Sequence, residues 1–271
     1  GDGLLLLTRG DATHAFGMRM FNSDGSEAET CLNGVRCTAR LGFERLGIAD
    51  ARVLLKTSDA EARLQPELAP GVTTIRTRVG PVSTRAADVG LRIAEAEVID
   101  APIAGLPSAR AFTAVAMPNP HLVTFVTRVD EAELVALGDW CEAAPALLPA
   151  RGNVSFVEVR GTEDAPALFV RTYERGVGLT NSCGSAMAAS TYAAARTGRI
   201  PFDRETRVFN RGGMVRASAT EAAEVTIAGN ATFEWEGRIA FDPATGALGA
   251  LEVVSRRPDE VAAWEAMLAG L

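Results

Sequence analysis

The chain of 271 residues carries four cysteines and two histidines, and two of the cysteines stand where a thiol is chemically useful. Cys31 opens a helix-favouring stretch, Leu32 to Leu46, with Gly47 where a C-terminal cap belongs. Cys183 opens the alanine-rich stretch that runs to Thr197 and is closed by Gly198. A sulfur at a helix N-terminus faces unpaired N–H groups and the positive end of the helix dipole, which favour thiolate over thiol. Cys37 lies six residues beyond Cys31, about 240° further round the same helix, and reads as packing. Cys141, after Trp140 and beside a short helix expected over Asp130 to Leu137, also reads as buried.

The two thiols belong to a repeat. Phe21 and Tyr173 each precede a cysteine by ten residues, at an offset of 152, in the order strand, Gly-bearing turn, thiol, helix. This order predicts duplicated lobes that face each other. Two thiols from facing lobes could flank one carbon, one taking a proton as thiolate while the other delivers a proton to the opposite face. That is stereoinversion by two bases. The N–H groups of Leu32, Asn33, Gly184 and Ser185, at the two helix starts, would hold a carboxylate and steady the negative charge that develops when the α-proton leaves. In principle this chemistry needs no cofactor and no metal.

Composition narrows the alternatives. The histidines and cysteines lack zinc-ligand spacing, and no C-x-x-C supports disulfide exchange. Lys56 is the one lysine on which a pyridoxal Schiff base could form, and a net charge of −7 argues against a nucleic-acid surface. No apolar run approaches the ~20 residues that span a bilayer, and no leader opens the sequence, so a cytoplasmic protein acting on a small molecule is expected, away from membranes.

The positioning elements follow from pattern. Strands are expected at Leu4 to Leu7, Gly17 to Asn22, Arg52 to Thr57, Glu61 to Gln65, Val72 to Val79 and Leu91 to Ile99, then as a pair around Pro118-Asn119-Pro120-His121, and again at Asn153 to Arg160 and Leu168 to Tyr173. A Pro-rich turn over Asp100 to Pro107 marks a lobe boundary. The second lobe has about 70 residues before its cysteine and the first only 30, so the first lobe is expected to lack a hairpin equivalent to the one around Asn119.

Phe21-Asn22-Ser23-Asp24-Gly25-Ser26-Glu27, Cys31-Leu32-Asn33-Gly34-Val35-Arg36-Cys37, Asn119-Pro120-His121, Asn153-Val154-Ser155-Phe156-Val157-Glu158 and Tyr173-Glu174-Arg175-Gly176-Val177-Gly178 leading to Cys183-Gly184-Ser185 together resemble the diaminopimelate epimerase family, from Gly3 to about Ile239. The resemblance implies a cofactor-independent homodimer that interconverts LL- and meso-diaminopimelate in lysine and cell-wall precursor synthesis. It implies Cys31 and Cys183 as the bases and His121 and Glu174 as polar groups that tune them. Asn22, Asn119, Asn153, Arg175 and the helix-start residues Leu32, Asn33, Gly184 and Ser185 would hold the substrate's carboxylates and distal amine. The chain departs from the family at Leu32, where a glycine is usual, at Pro118 and at Ala186-Met187, and it lacks the family's opening His-Gly-Leu-Gly-Asn-Asp-Phe stretch.

Each residue also has a plainer reading: Asn22 and Asn119 as turn residues, His121 as a satisfied core histidine, Glu174-Arg175 as a surface ion pair, His14 as solvated. Rival functions are a related racemase acting on proline or hydroxyproline, and an inactive truncated paralogue. The fold expected is α/β, with two pseudo-symmetric lobes, each a mostly antiparallel sheet wrapped round a central helix, and the active site in the cleft between them. Residues 1–108 with a returning strand near 229–239 form the first lobe, 109–228 the second, and 240–271 a C-terminal extension containing an amphipathic helix over Asp259 to Leu268. Two thiols closing on one carbon also predict a Cys31–Cys183 disulfide under oxidation.

Overall fold

The computed structural model describes residues 3–28, 31–79, 81–117 and 119–270. Pro118, a point of departure from the family pattern, lies outside the described residues. In chain order the elements are β1 (Gly3–Arg9), β2 (Phe16–Asn22), β3 (Glu27–Ala28), α1 (Leu32–Leu46), β4 (Asp50–Leu54), β5 (Asp59–Gln65), β6 (Thr74–Val79) and α2 (Ala86–Val89). There follow β7 (Thr113–Met117), β8 (Asn119–Phe125), α3 (Glu131–Glu142), β9 (Asn153–Thr162), β10 (Ala165–Glu174), β11 (Gly178–Thr180) and α4 (Gly184–Arg196). The chain ends with β12 (Thr206–Asn210), β13 (Gly213–Ala219), β14 (Val225–Asn230), β15 (Trp235–Phe241), β16 (Leu248–Arg256) and α5 (Pro258–Ala269).

Fourteen strands form one mostly antiparallel sheet whose main path runs β1-β2-β4-β5-β6-β14-β13-β12-β10-β9-β8-β7. The repeat is visible in this order. In the first half β2 pairs antiparallel with β1 and parallel with β4; in the second β10 pairs antiparallel with β9 and parallel with β12. The short strands β3 and β11 sit off the path on β2 and β10, each just ahead of a cysteine. The second half continues past β9 into β8 and β7, which have no counterpart beyond β1 among the described residues.

Each half curls round one helix. Eleven of the thirteen residues of α4 are buried, and its alanines present a small surface on all sides, which lets the strands close round it. Helix α1 ends at Gly47, in the left-handed conformation at φ 67°, which a glycine adopts without steric penalty. It packs Val35, Ala39 and Phe43 against Phe16, Val53 and Ile75.

The strand that joins the halves is Val225–Asn230, antiparallel to β6. Its alternate residues Val225 and Ile227 are fully buried, which is what a central strand requires. Of the stretch expected to return near 229–239, residues 229–230 end this strand, while 235–239 belong to β15, which pairs with Leu248–Arg256 as an exposed hairpin. Leu91 to Ile99 is not a strand. Its backbone bonds go to scattered partners, Arg92 N–H to Leu147 C=O and Ala114 N–H to Val98 C=O, while Leu91 and Val98 fill the core beneath α3. Helix α3 runs on past the expected end at Leu137 to Glu142, and Gly138 within it is a packing site: an added Cβ would lie 2.1 Å from the Tyr173 ring. Cys141 is buried as expected.

The helix expected near the C-terminus is α5. Its half-buried face touches both halves of the fold: Glu260 pairs with Arg40 of α1, Ala263 lies over Gly71, and Trp264 and Leu268 cover Gly213 at the start of β13. No helix among the described residues is long and apolar enough to cross a membrane.

Candidate active site

Cys31 and Cys183 are the N-cap residues of α1 and α4, with nearly equal extended backbones at φ −153°, ψ 108° and φ −133°, ψ 107°. The repeat thus reproduces the local geometry of both thiols. Each follows a strand, a turn and a short strand, and the two helices contact each other and both contact β14. The two starts touch: a Cβ added to Gly184 would lie 3.1 Å from Leu32 Cβ and 3.1 Å from Asn33 Oδ1. Leu32, the departure from glycine, is absent from the positive-φ positions and packs its side chain on the core around α4.

A cavity of about 550 Å³ opens over this junction and is lined by Asn22, Cys31, Leu32, Asn33, Asn119, Asn153, Glu174, Arg175, Cys183, Gly184 and Ser185. Eleven of the twelve residues expected at the site therefore share one cavity. The twelfth, His121, is fully buried behind it.

His121 ties the wall together. Its Nε2 lies 3.1 Å from Asn119 Oδ1, and Asn153 Nδ2 lies 3.3 Å from Nε2 and 3.5 Å from Nδ1. In the neutral tautomer with the proton on Nε2 the ring donates to Asn119, and Nδ1 is the nitrogen left to accept from the Asn153 amide. Burial, with the Arg175 charge as a lesser cause, brings its pKa down to about 3, so the ring is neutral. The chain of bonds continues at both ends. Asn119 Nδ2 donates to Ser185 Oγ at 3.3 Å, Ser185 Oγ lies 3.5 Å from Cys183 Sγ, and the Arg175 N–H donates to Asn153 Oδ1 at 2.8 Å. One network thus runs from the second thiol to the start of the Glu174-Arg175 turn.

The two sulfurs differ in environment. Cys31 Sγ is half-exposed and accepts the Gly34 N–H at 3.4 Å. Cys183 is 7% exposed; burial first, and the neighbouring Glu174 carboxylate second, push its thiol up to about 12. Burial also raises Glu174 above the usual carboxylate range. The expectation that both helix starts favour thiolate is therefore corrected at Cys183, because desolvation outweighs the dipole there. Glu174 and Arg175 do not pair with each other; the Arg175 guanidinium donates to Ala150 C=O at 3.1 Å. Asn22 does cap its turn, bonding Ser26 through Nδ2 at 3.0 Å, while it lines the cavity.

The cavity also holds residues the sequence did not single out: Met20, Leu55 and Met117 form apolar wall, and Ser58, Asp59 and Arg78 stand among its polar lining. None sits in a motif, so spacing offered no signal. His14 is not solvated: it lies 2.9 Å from Asp11 and 3.5 Å from Asp59, with its side chain 11% exposed.

Two solved structures share this fold, a PhzF-family phenazine biosynthesis protein from Bacillus anthracis and a predicted epimerase from Pseudomonas aeruginosa. Their TM-scores are 0.59 and 0.58 at 14% identity, over 84% and 94% of this chain and 81% and 83% of theirs. They place the chain in an α/β class of two halves wrapped on two helices. Sequence narrows the class further. Residues 113–234 match the family model for diaminopimelate epimerase. The diaminopimelate epimerase of Clostridium acetobutylicum is 37% identical over 246 residues, 89% of this chain and 73% of the relative. That of Enterococcus faecalis is 39% identical over 242 residues, 85% and 72%. The chain belongs to the diaminopimelate epimerase family and is an isomerase of the epimerase type.

Proposed function

We propose that the chain interconverts LL- and meso-diaminopimelate by moving the Cα proton between two thiols, without a cofactor, as a cytoplasmic homodimer serving lysine and peptidoglycan-precursor synthesis. The observation that carries this reading is the meeting of two N-cap cysteines on one cavity, with Asn22, Asn119, Asn153 and Arg175 around it. The likeness to relatives named diaminopimelate epimerase supports the substrate.

In this reading Cys31 is the base for one direction: its Sγ takes the proton from Cα, and the electron pair left behind spreads into the α-carboxylate. That carboxylate rests on the first-turn N–H groups of Leu32, Asn33, Gly184 and Ser185, which lack helical partners. Cys183, held as a thiol by burial, donates its proton to the opposite face. Inversion leaves Cys31 protonated and Cys183 ionised beside Glu174, and the reverse reaction uses the thiols in exchanged roles. His121 acts here as a neutral anchor for Asn119 and Asn153. The second amino-acid end of the substrate is held by Arg175 and the asparagine set, with Met20 and Met117 along its methylenes. We assign residues 1–108 with 229–239 to one lobe, 109–228 to the other and 240–271 to an extension, and closure of the lobes excludes water from the carbanion.

The test is deuterium uptake at Cα in D₂O, followed by NMR, with LL-diaminopimelate and with proline as control, for the chain and its Cys31→Ala and Cys183→Ala variants. Exchange of diaminopimelate alone, reduced in both variants, is expected. Exchange of proline moves the assignment to a related racemase, and silence on both overturns the reading. Light scattering of the purified chain tests the dimer.

A further inference from the structure

Among the described residues, Arg36 carries a buried charge without a counter-ion. It sits on the second turn of α1, is 5% exposed, and pairs with no carboxylate among the described residues. Its Nη2 donates to Asn33 Oδ1 at 2.9 Å, its Nε to Asn230 C=O at 3.3 Å, and its Nη1 has no partner among those residues. The guanidinium lies flat on β14, where a Cβ added to Gly229 would come within 2.8 Å of Nε. An unpaired buried cation is expensive to keep, and an anion arriving beside it relieves that cost. Among the described residues, the thiols of Cys37 and Cys31 are the ionisable groups whose charge it would feel.

We propose that Arg36 is a positioning residue for the reaction: it fixes the Asn33 amide from behind and holds an uncompensated positive charge under the first turn of α1, ready for a carboxylate at the helix starts. The inference rests on the proposed reading that a carboxylate binds there. Because Asn33 Oδ1 is engaged by Arg36, its Nδ2 is the half left free to donate to a ligand. A side chain at i+3 on a helix reaches back over the preceding turn, which is why this arginine serves residue 33. Its bond to Asn230 also ties the turn carrying Cys31 to the strand that joins the two halves, so the base and the crossing share one anchor.

Arg36→Met keeps the volume and removes the charge and the fork; Arg36→Lys keeps the charge and loses the fork. The experiment follows kcat and KM for Cα exchange of LL-diaminopimelate. In parallel, mass spectrometry follows protection of Cys31 from iodoacetamide by LL-diaminopimelate and by acetate, a bare carboxylate. For Arg36→Met a loss in kcat/KM of about tenfold or more is expected, carried mainly by KM, together with loss of protection by both carboxylates and an unchanged circular dichroism spectrum. Arg36→Lys should fall between the two. Unchanged KM and unchanged protection in Arg36→Met overturn the inference. If that variant does not fold, unchanged KM and protection in Arg36→Lys overturn it instead. Acetate protecting the unaltered chain but not the variants upholds the inference even where no diaminopimelate exchange is seen, which separates it from the substrate assignment. Failure of both carboxylates to protect the unaltered chain sinks it.

Discussion

Gly184 and Leu32 stand against each other across the floor of the cavity, so close that a Cβ on Gly184 would lie 3.1 Å from the Cβ of Leu32. The contact fixes the separation of the two helix starts and hence of the two thiols. Gly184→Ala should push them apart by a few tenths of an ångström. Alanine is the better helix former by about 0.5–1 kcal/mol, so the melting temperature is expected to hold or rise while kcat/KM falls about tenfold. Leu32→Gly in the same chain should recover part of the activity. Calorimetry beside the exchange assay distinguishes this from general damage.

Cys183 has its pKa raised in the fold to about 12 from an ordinary thiol value of 9.0. Below pH 9 the proton is bound in both folded and unfolded chains, and the contribution to stability is complete. As pH rises from about 9 towards 12 the unfolded chain releases the proton and the folded one does not, so stability is lost over that window. The melting temperature should decline above pH 9, and less so in Cys183→Ala. Cys141, also pushed up to about 12 by burial, adds to the same decline.

His121 moves the other way. Its folded pKa is about 3 against 6.5 unfolded, so the unfolded chain takes up a proton first as pH falls. Stability is complete above about pH 6.5 and is lost between there and pH 3. A pH series of melting curves should show this loss. His121→Gln should flatten it while lowering the plateau, because the replacement is uncharged but does not reproduce both asparagine contacts.

Arg40 is 6% exposed at its side chain and forks onto Glu260 of α5 while donating to Ala231 C=O. Glu260→Gln leaves Arg40 with the half-exposed Glu44, 3.0 Å from its Nε, as its remaining counter-ion, so the loss is about 1–2 kcal/mol. Denaturant unfolding reads this directly. Limited trypsin digestion should cut first after Arg256, since Pro258 blocks the bond after Arg257, releasing α5.

Cys31 and Cys183 are both free thiols whose helix starts touch. A mild oxidant should join them and abolish exchange, with activity restored by dithiothreitol. Peptide mapping that finds no Cys31–Cys183 link in the inactivated chain would falsify this.

What was legible in the sequence was local. The limits of α1 follow from Cys31 and Gly47, both set by backbone preferences a few residues long, and the duplicated order of strand, turn, thiol and helix follows from spacing alone. That order already placed the two thiols and the helix-start residues Leu32, Asn33, Gly184 and Ser185 near one another, since a repeat that pairs with itself must bring its equivalent points together, while Asn22, Asn119, Asn153, Glu174 and Arg175 were legible only through the resemblance to the family. Leu91 to Ile99 shows where local pattern ends: its apolar residues fill the core without a ladder, and it meets the edge strand β7 only at isolated points such as Ala114 N–H to Val98 C=O.

Tertiary structure decided what depends on distant neighbours. The crossing at Val225–Asn230 was chosen over the stretch at 235–241 by which alternate side chains reach a closed core. Gly138 became a packing contact because Tyr173 lies against it. The difference between the thiols has the same origin: both cap a helix, and the sequence gives them equal dipoles. Desolvation by the strands round α4, with Glu174 brought alongside, keeps one of them protonated. Burial and long-range charge are properties of the assembled surface, so they have no spacing by which a sequence could announce them.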